Sequence, residues 1–392
     1  MGGKNTDIEV LRAVAVLFVV AHHLPELFVW DGAWQKLFVV TTFWSGVDLF
    51  FCVSGFVIAS SLLREGRASH FLDLAIPFWI RRVWRIWPAA LTWLAIGILA
   101  SRFFNQSGAL GTFTANVADG IAAVLQVANF HFMNCWNYNQ GACGIEAIYW
   151  SLSLEEQFYF LFPFALFFLP RRWLRLGLIG VIALQFFWDR PVGSPLWLIR
   201  TDAICYGVLI AMAMQSPLRT RLYPSFMKKR SGAIVVSAVG FFLLSAIPTH
   251  QVVWFDTGLL ALLCAGLVYI ASYDDQLIVP VPYLRPVLLW IGSRSFAIYL
   301  THFLSYLLTR EIFFRLYPGT TFDASFALPF ALTAATLIVV LSECTYRFIE
   351  QPFRQHGRAI AERYRHTPQP MPPPSASHPS ASSPNPSMPL PY

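Results

Sequence analysis

Residues 7–25 read DIEVLRAVAVLFVVAHHLP, an apolar run that holds a guanidinium, Arg12, near one end and two imidazoles, His22 and His23, near the other. Ionisable groups inside a membrane span are costly and by default mark a functional pathway. A helix advances roughly 100° and ~1.5 Å per residue, so Arg12 and His23 fall within about 20° of one face and ~16 Å apart along it, while His22 points elsewhere. The competing reading is anchoring alone, with Arg12 snorkelling to one interface and a histidine at the other.

Composition extends the membrane reading to the whole chain. With 392 residues, 56% hydrophobic, 12% charged and a mean hydropathy of +0.54, the chain is too apolar for an ordinary soluble domain and reads as a polytopic membrane protein. The net charge of +7 does not imply a nucleic-acid partner, because the basic residues sit in short clusters between apolar runs, as cytoplasmic loops do. Six cysteines are too few and too scattered for a disulfide framework. Cys135 and Cys143 share a connection, and the sequence leaves their pairing open. No leader-like cleavage site follows the first run, so the first span is expected to stay attached. No internal repeat is evident, which gives an inverted-repeat transporter no support.

Runs able to cross about 30 Å of hydrocarbon lie near 8–24, 43–63, 86–104, 148–169, 199–215, 231–247, 257–272, 287–308 and 325–348, with a shorter one at 176–188. Five Lys or Arg between Arg64 and Arg85, three in Arg171–Arg175 and five in Arg219–Arg230 assign those loops to the cytoplasm, whereas Asn105–Ala147 has none and faces outward. Within that connection, the apolar piece Ile121–Met133 is expected to be re-entrant or interfacial. The fold class is therefore all-α, with about ten transmembrane helices and both termini cytoplasmic, in the plasma (inner) membrane. Only Lys36, Arg190, Arg310 and Arg315 are stranded outside. Residues 1–355 form the membrane domain, and 356–392, ending in a Pro/Ser-rich stretch, are expected to be a disordered cytoplasmic tail.

Polar residues inside the spans fall at two depths. Toward the outside lie Asp48, Glu155 with Ser151 and Tyr159 on the same helix face, Arg200 and Asp202 at the start of one span, and Ser295, Tyr299 and His302 on another. Several of these have a simple structural alternative: a paired aspartate, a helix cap at Asp202, a satisfied core histidine at His302. Toward the inside lie Arg81, Arg82 and Arg85, flanked by Trp79, Trp84 and Trp87. Guanidiniums at this spacing can fork onto phosphates and stack on a purine, although positive-inside anchoring accounts for them as well. Arg347, Glu350 and Arg354 share that side.

The segments LRAVAVLFVVAHH, SGVDLFFCVSGFVI, FWIRRVWRIWP, WSLSLEEQFYFLFP, IRTDAICYGVLIA, WIGSRSFAIYLTHF and YRFIEQPFR, in this order over roughly residues 5–355, resemble the integral-membrane acyltransferase family 3, O-acyltransferases of surface polysaccharides, nodulation factors and macrolides. The family's Arg-x10-His pattern falls on Arg12 and His23, its Arg-Arg-x-x-Arg pattern on Arg81, Arg82 and Arg85, and its SLxxE segment on Ser151, Leu152 and Glu155. No fused SGNH-hydrolase-like domain is seen, so a stand-alone membrane domain is expected.

The resemblance implies acyl-CoA, most often acetyl-CoA, as a cytoplasmic donor substrate, no permanently bound cofactor or metal, and a glycan or glycolipid hydroxyl as extracytoplasmic acceptor. In that scheme Arg81, Arg82 and Arg85 bind the CoA phosphates, and Arg12 holds the pantetheine or polarises the thioester. His23 is the general base or an acyl carrier, and Glu155 orients it or acts as base itself. Asp48, Ser151, Tyr159, Arg200, Asp202, Tyr299 and His302 are supporting polar or acceptor-side residues. A rival of another class is a proton-coupled transporter or flippase of a glycan or lipid-linked substrate, using His23, Glu155 and Arg200.

Overall fold

The computed structural model describes residues 4–30, 41–65, 69–138, 143–251 and 253–366. Lys36 and the Pro/Ser-rich stretch after His366 lie outside the described residues. Among the described residues every regular element is helical. The principal helices are α1 (Thr6–His22), α2 (Gly46–Arg64), α3 (Phe71–Phe103), α4 (Phe113–Val124), α5 (Ala128–Tyr138), α6 (Tyr149–Phe168) and α7 (Arg171–Phe186). They continue with α8 (Asp202–Met214), α9 (Arg230–His250), α10 (Asp256–Ala271), α11 (Leu284–Ser293), α12 (Ser295–Leu316), α13 (Ala327–Cys344) and α14 (Gln351–His366).

A helix lies on each of the ten apolar runs. Among the described residues, five helical stretches are long and apolar enough to cross a membrane, and a sixth is added if α11 and α12, bent by 78° at Arg294, count as one. Of the four runs that fall short, α1, α7 and α10 have 17, 16 and 16 residues, below the ~20 that a straight crossing requires, and α6 has 20 residues but carries Glu155, Glu156 and Gln157, which lower its hydropathy.

Helix α1 is at the centre of the bundle. The Asn5 side chain caps it by accepting the Ile8 N–H at 2.9 Å, and Asp7 and Glu9 in its first turn suit the positive end of the dipole. It packs on α2, α11 and α12. Helices α2 and α8 cross closely because Gly55 meets the backbone of Ile204 and Gly207 meets that of Cys52, where a Cβ would stand 2.2 and 2.1 Å from the respective carbonyl oxygens.

Three sequence expectations change. The helix of the third apolar run starts well before the run and carries the arginine cluster too, because α3 runs unbroken through Pro77 and Pro88 for 33 residues, ~50 Å at 1.5 Å per residue. The piece Ile121–Met133 is not one segment: Gln126, at φ 58°, separates α4 from α5. Asp119 ties these two together and to the start of α6, accepting from His131 Nε2 at 2.8 Å and from the Glu146 N–H at 3.2 Å. Finally, residues 356–366, assigned to the tail, belong to α14, which packs along α3; Trp84 stacks on Phe353 with ring centroids 5.7 Å apart. A π-helical turn, Thr345–Glu350, joins α13 to α14, and Trp93 Nε1–H donates to Thr345 Oγ1 within it at 2.9 Å.

Candidate active site

Two cavities lie one above the other along α1. The first, about 90 Å³, is lined by Arg12 of α1, Ser54 of α2, Arg82 and Arg85 of α3, Ser151, Glu155 and Tyr159 of α6, and Ser295 and Tyr299 of α12. Arg12 donates through Nε to Ser295 Oγ at 3.1 Å and through Nη1 to Glu9 at 3.4 Å. Tyr159 and Ser54 share a hydroxyl hydrogen bond of 2.7 Å, and the Arg82 guanidinium lies 5.6 Å from the Tyr159 ring centroid. Arg82 and Arg85 form no ion pair with any described residue, whereas Arg12 has Glu9 and Arg81 has Glu65. Like charges held together without partners favour an anion or a polarised carbonyl between them.

The second cavity is larger, about 540 Å³, and lies at the opposite end of α1. It is lined by His22, His23 and Glu26, by Trp44, Trp136, Trp150 and Trp197, and by Asn137, Tyr299 and Phe303. His22 thus shares this cavity with His23, because α1 ends at His22 and the chain turns there. Among the described residues, only Val47 and Tyr299 line both cavities. Tyr299 is held in that partition: its hydroxyl donates to Ile148 O at 2.8 Å and pairs with Ser151 Oγ at 2.7 Å.

Hydrogen bonding specifies how His23 presents its ring. His302 Nδ1 lies 2.7 Å from Tyr299 O, and His23 Nδ1 lies 3.0 Å from Val19 O. A carbonyl only accepts, so in the neutral rings both Nδ1 atoms carry the proton. His302 Nε2 is then an acceptor, 3.2 Å from His23 Nδ1, and His23 Nε2 keeps a free lone pair. A neutral imidazole with an open Nε2 beside a cavity can take a proton from a hydroxyl.

A family model described as an acyltransferase domain matches residues 5–343. The chain belongs to that acyltransferase family. Among curated relatives it is similar to the peptidoglycan O-acetyltransferase OatA of Listeria monocytogenes, at 29% identity over 90% of this chain and 56% of the relative. It is also similar to the O-acetyltransferase OatA of Staphylococcus aureus strain NCTC 8325, at 27% identity over 88% of this chain and 57% of the relative. The chain therefore spans less than three fifths of the length of these relatives. No solved structure gives a significant match.

Set against the family's motifs, the geometry divides the residues singled out in the sequence. Arg12, Arg82, Arg85, Ser151, Glu155, Tyr159 and Tyr299 line the first cavity, and His23 lines the second. Glu155 therefore sits with the arginines, and the ring partner of His23 is His302 instead. Arg81 turns to the surface, where Glu65 bridges it and Arg365 at 2.5 and 2.7 Å. Asp48 and Arg200 line neither cavity; they form a fully buried bidentate pair at 2.7 and 3.0 Å. Asp202 is held by Arg190, one of the cations stranded by the sequence topology, at 3.1 and 2.7 Å. Ser295, singled out in the sequence, lines the first cavity, whereas Ser54 and the four tryptophans escaped the sequence reading. The indoles sit near the ends of apolar runs, where they are indistinguishable from an interfacial aromatic belt.

Proposed function

We propose that this chain is a membrane-bound O-acyltransferase that moves an acyl group, acetyl foremost, from cytoplasmic acyl-CoA to a hydroxyl of an extracytoplasmic glycan or related molecule. The observation that carries this reading is that α1 sets Arg12 in an arginine-lined cavity and His23 in a second cavity, with Tyr299 and Val47 between. The topology adopted is about ten crossings with both termini cytoplasmic, supported by the basic clusters and by helices on every apolar run. It turns the arginine cavity inward.

The arginine cavity has the volume of about three liquid waters, so it suits a thioester and the end of its pantetheine arm. The nucleotide phosphates then stay outside, near Arg81. Arg12, Arg82 and Arg85 hold the polar thioester and pantetheine end as it enters, before the acyl group moves on to His23. His23 Nε2 accepts the proton of the acceptor hydroxyl as its oxygen attacks the thioester carbon. The C–S bond breaks, and the CoA thiolate leaves and is reprotonated. Because ~16 Å of helix separates Arg12 from His23, the acyl end must pass the Tyr299 partition before attack. The Listeria relative's name supports a polysaccharide hydroxyl as acceptor.

The test is incubation of membranes with radiolabelled acetyl-CoA. Label should appear on glycan, and His23→Ala should lower transfer by about 10²-fold or more while CoA affinity is retained. Equal turnover in that variant overturns the role of His23. Movement of a glycan across the membrane without labelling favours a transporter instead.

A further inference from the structure

We propose that the second cavity is a stacking subsite for neutral pyranose rings, in which Trp136 supplies the open indole face and Trp44, Trp150 and Trp197 form the buried back wall in front of the Arg200–Asp48 pair. This deepens the acyltransferase reading by naming how the acceptor is held.

Four chain segments bring the indoles together. Trp44 precedes α2, Trp136 lies near the end of α5, Trp150 in the first turn of α6, and Trp197 in a single-turn helix, Pro195–Leu198. Trp150 and Trp197 have ring centroids 4.5 Å apart, and Trp44 is 6.1 Å from Trp197. Behind them, the Arg200 guanidinium stands 4.0 Å from the Trp197 centroid, 5.1 Å from Trp150 and 5.6 Å from Trp44. It is locked there by Asp48 and by a 2.8 Å bond to Trp197 O. A desolvated ion pair is a costly way to fill a core, but here it orients three aromatic walls from one point.

The chemistry of the walls selects the ligand. Aromatic faces are electron-rich and attract the weakly positive C–H face of a sugar ring. Among the described residues no Lys or Arg lines the cavity, which disfavours phosphate there, in contrast to the arginine cavity. It is not a plain apolar slot either, since Asn137, Glu26 and both α1 histidines border it. Two buried donors or acceptors there lack partners among the described residues: the indole N–H of Trp197, whose residue is 95% buried, and His22 Nδ1. The cavity's volume is in the range of sites that enclose drug-sized ligands, and His23 stands at its edge, where a bound hydroxyl meets the free Nε2.

The test uses the full chain in detergent and three neutral probes, chitotetraose, maltotetraose and mannotetraose, with binding read by intrinsic tryptophan fluorescence. At least one probe should bind saturably. Trp136→Ala, at the exposed lip and least able to harm folding, should weaken binding about 10-fold or more, as should Trp150→Phe to a lesser degree. Trp173→Ala, remote on α7, should bind as wild type. With acetyl-CoA as donor, Trp136→Ala should raise the acceptor KM with little change in kcat. Absence of binding for all three probes, or equal affinity in Trp136→Ala, overturns the subsite. Saturable, Trp136-dependent binding without acetyl transfer leaves the subsite standing and overturns the acyltransferase reading. Transfer with an acceptor KM that Trp136→Ala does not change does the reverse.

Discussion

In the proposed reaction His302 acts through His23. Its Nε2 accepts from His23 Nδ1 and so helps keep the reactive lone pair on the far side of the ring. His302→Ala should lower kcat about 10-fold, the worth of one neutral hydrogen bond of ~1.4 kcal/mol, with acceptor KM little changed. His302→Gln, whose amide oxygen can accept the same N–H, should recover part of the loss, and steady-state kinetics on the three proteins decide it. At the other end of α1, Arg82 faces the cavity with no ion-pair partner among the described residues. Arg82→Ala should raise the acyl-CoA KM about 10-fold or more, as expected for a hydrogen bond to a charged group. Arg81→Ala, whose side chain is already paired with Glu65, should have the smaller effect.

Between elements, the strongest constraints are the α2–α8 crossing and the ion pair beside it. Removing one partner of a buried bidentate pair leaves an uncompensated charge, so Asp48→Ala should destabilise the protein by about 3–5 kcal/mol. Asp48→Ala with Arg200→Met should recover much of that in a thermal melt, yet still weaken acceptor binding, because the indoles lose their backing. At the crossing, Gly55→Leu should prevent normal packing, since even its Cβ would overlap the Ile204 carbonyl. Lowered yield of folded protein by size-exclusion chromatography is the readout.

The whole molecule sets the two cavities on opposite sides of a partition, and this makes topology the decisive global property. Reporter fusions or cysteine labelling in intact cells should place the N-terminus, the 66–69 connection and the 219–229 connection inside, with the 105–112 connection outside. If 105–112 were labelled from the cytoplasm, the proposed direction of transfer would reverse. The stretch 105–112 is itself anchored to the bundle, since Glu311 of α12 accepts the N–H groups of Gln106 and Ser107 at 2.8 Å each.

Much was legible from sequence alone, for physical reasons. Hydrocarbon admits helices and rejects unpaired charge, so composition and the spacing of apolar runs determined an all-helical membrane chain. The same rule made Arg12, His23, Glu155, Arg82 and Arg85 conspicuous. Side-chain partnership was not legible, because it depends on which helices meet. Helical rise alone put Glu155 at the level of His23, yet packing places Glu155 among the arginines and gives His302 to His23. Asp48, Arg200 and Asp202 looked like acceptor-side groups, but tertiary contacts pair them with one another or with Arg190. The tryptophans were hidden for a related reason: one indole at a helix end reads as an interfacial anchor. Only the convergence of four segments around Arg200 makes them walls of a cavity.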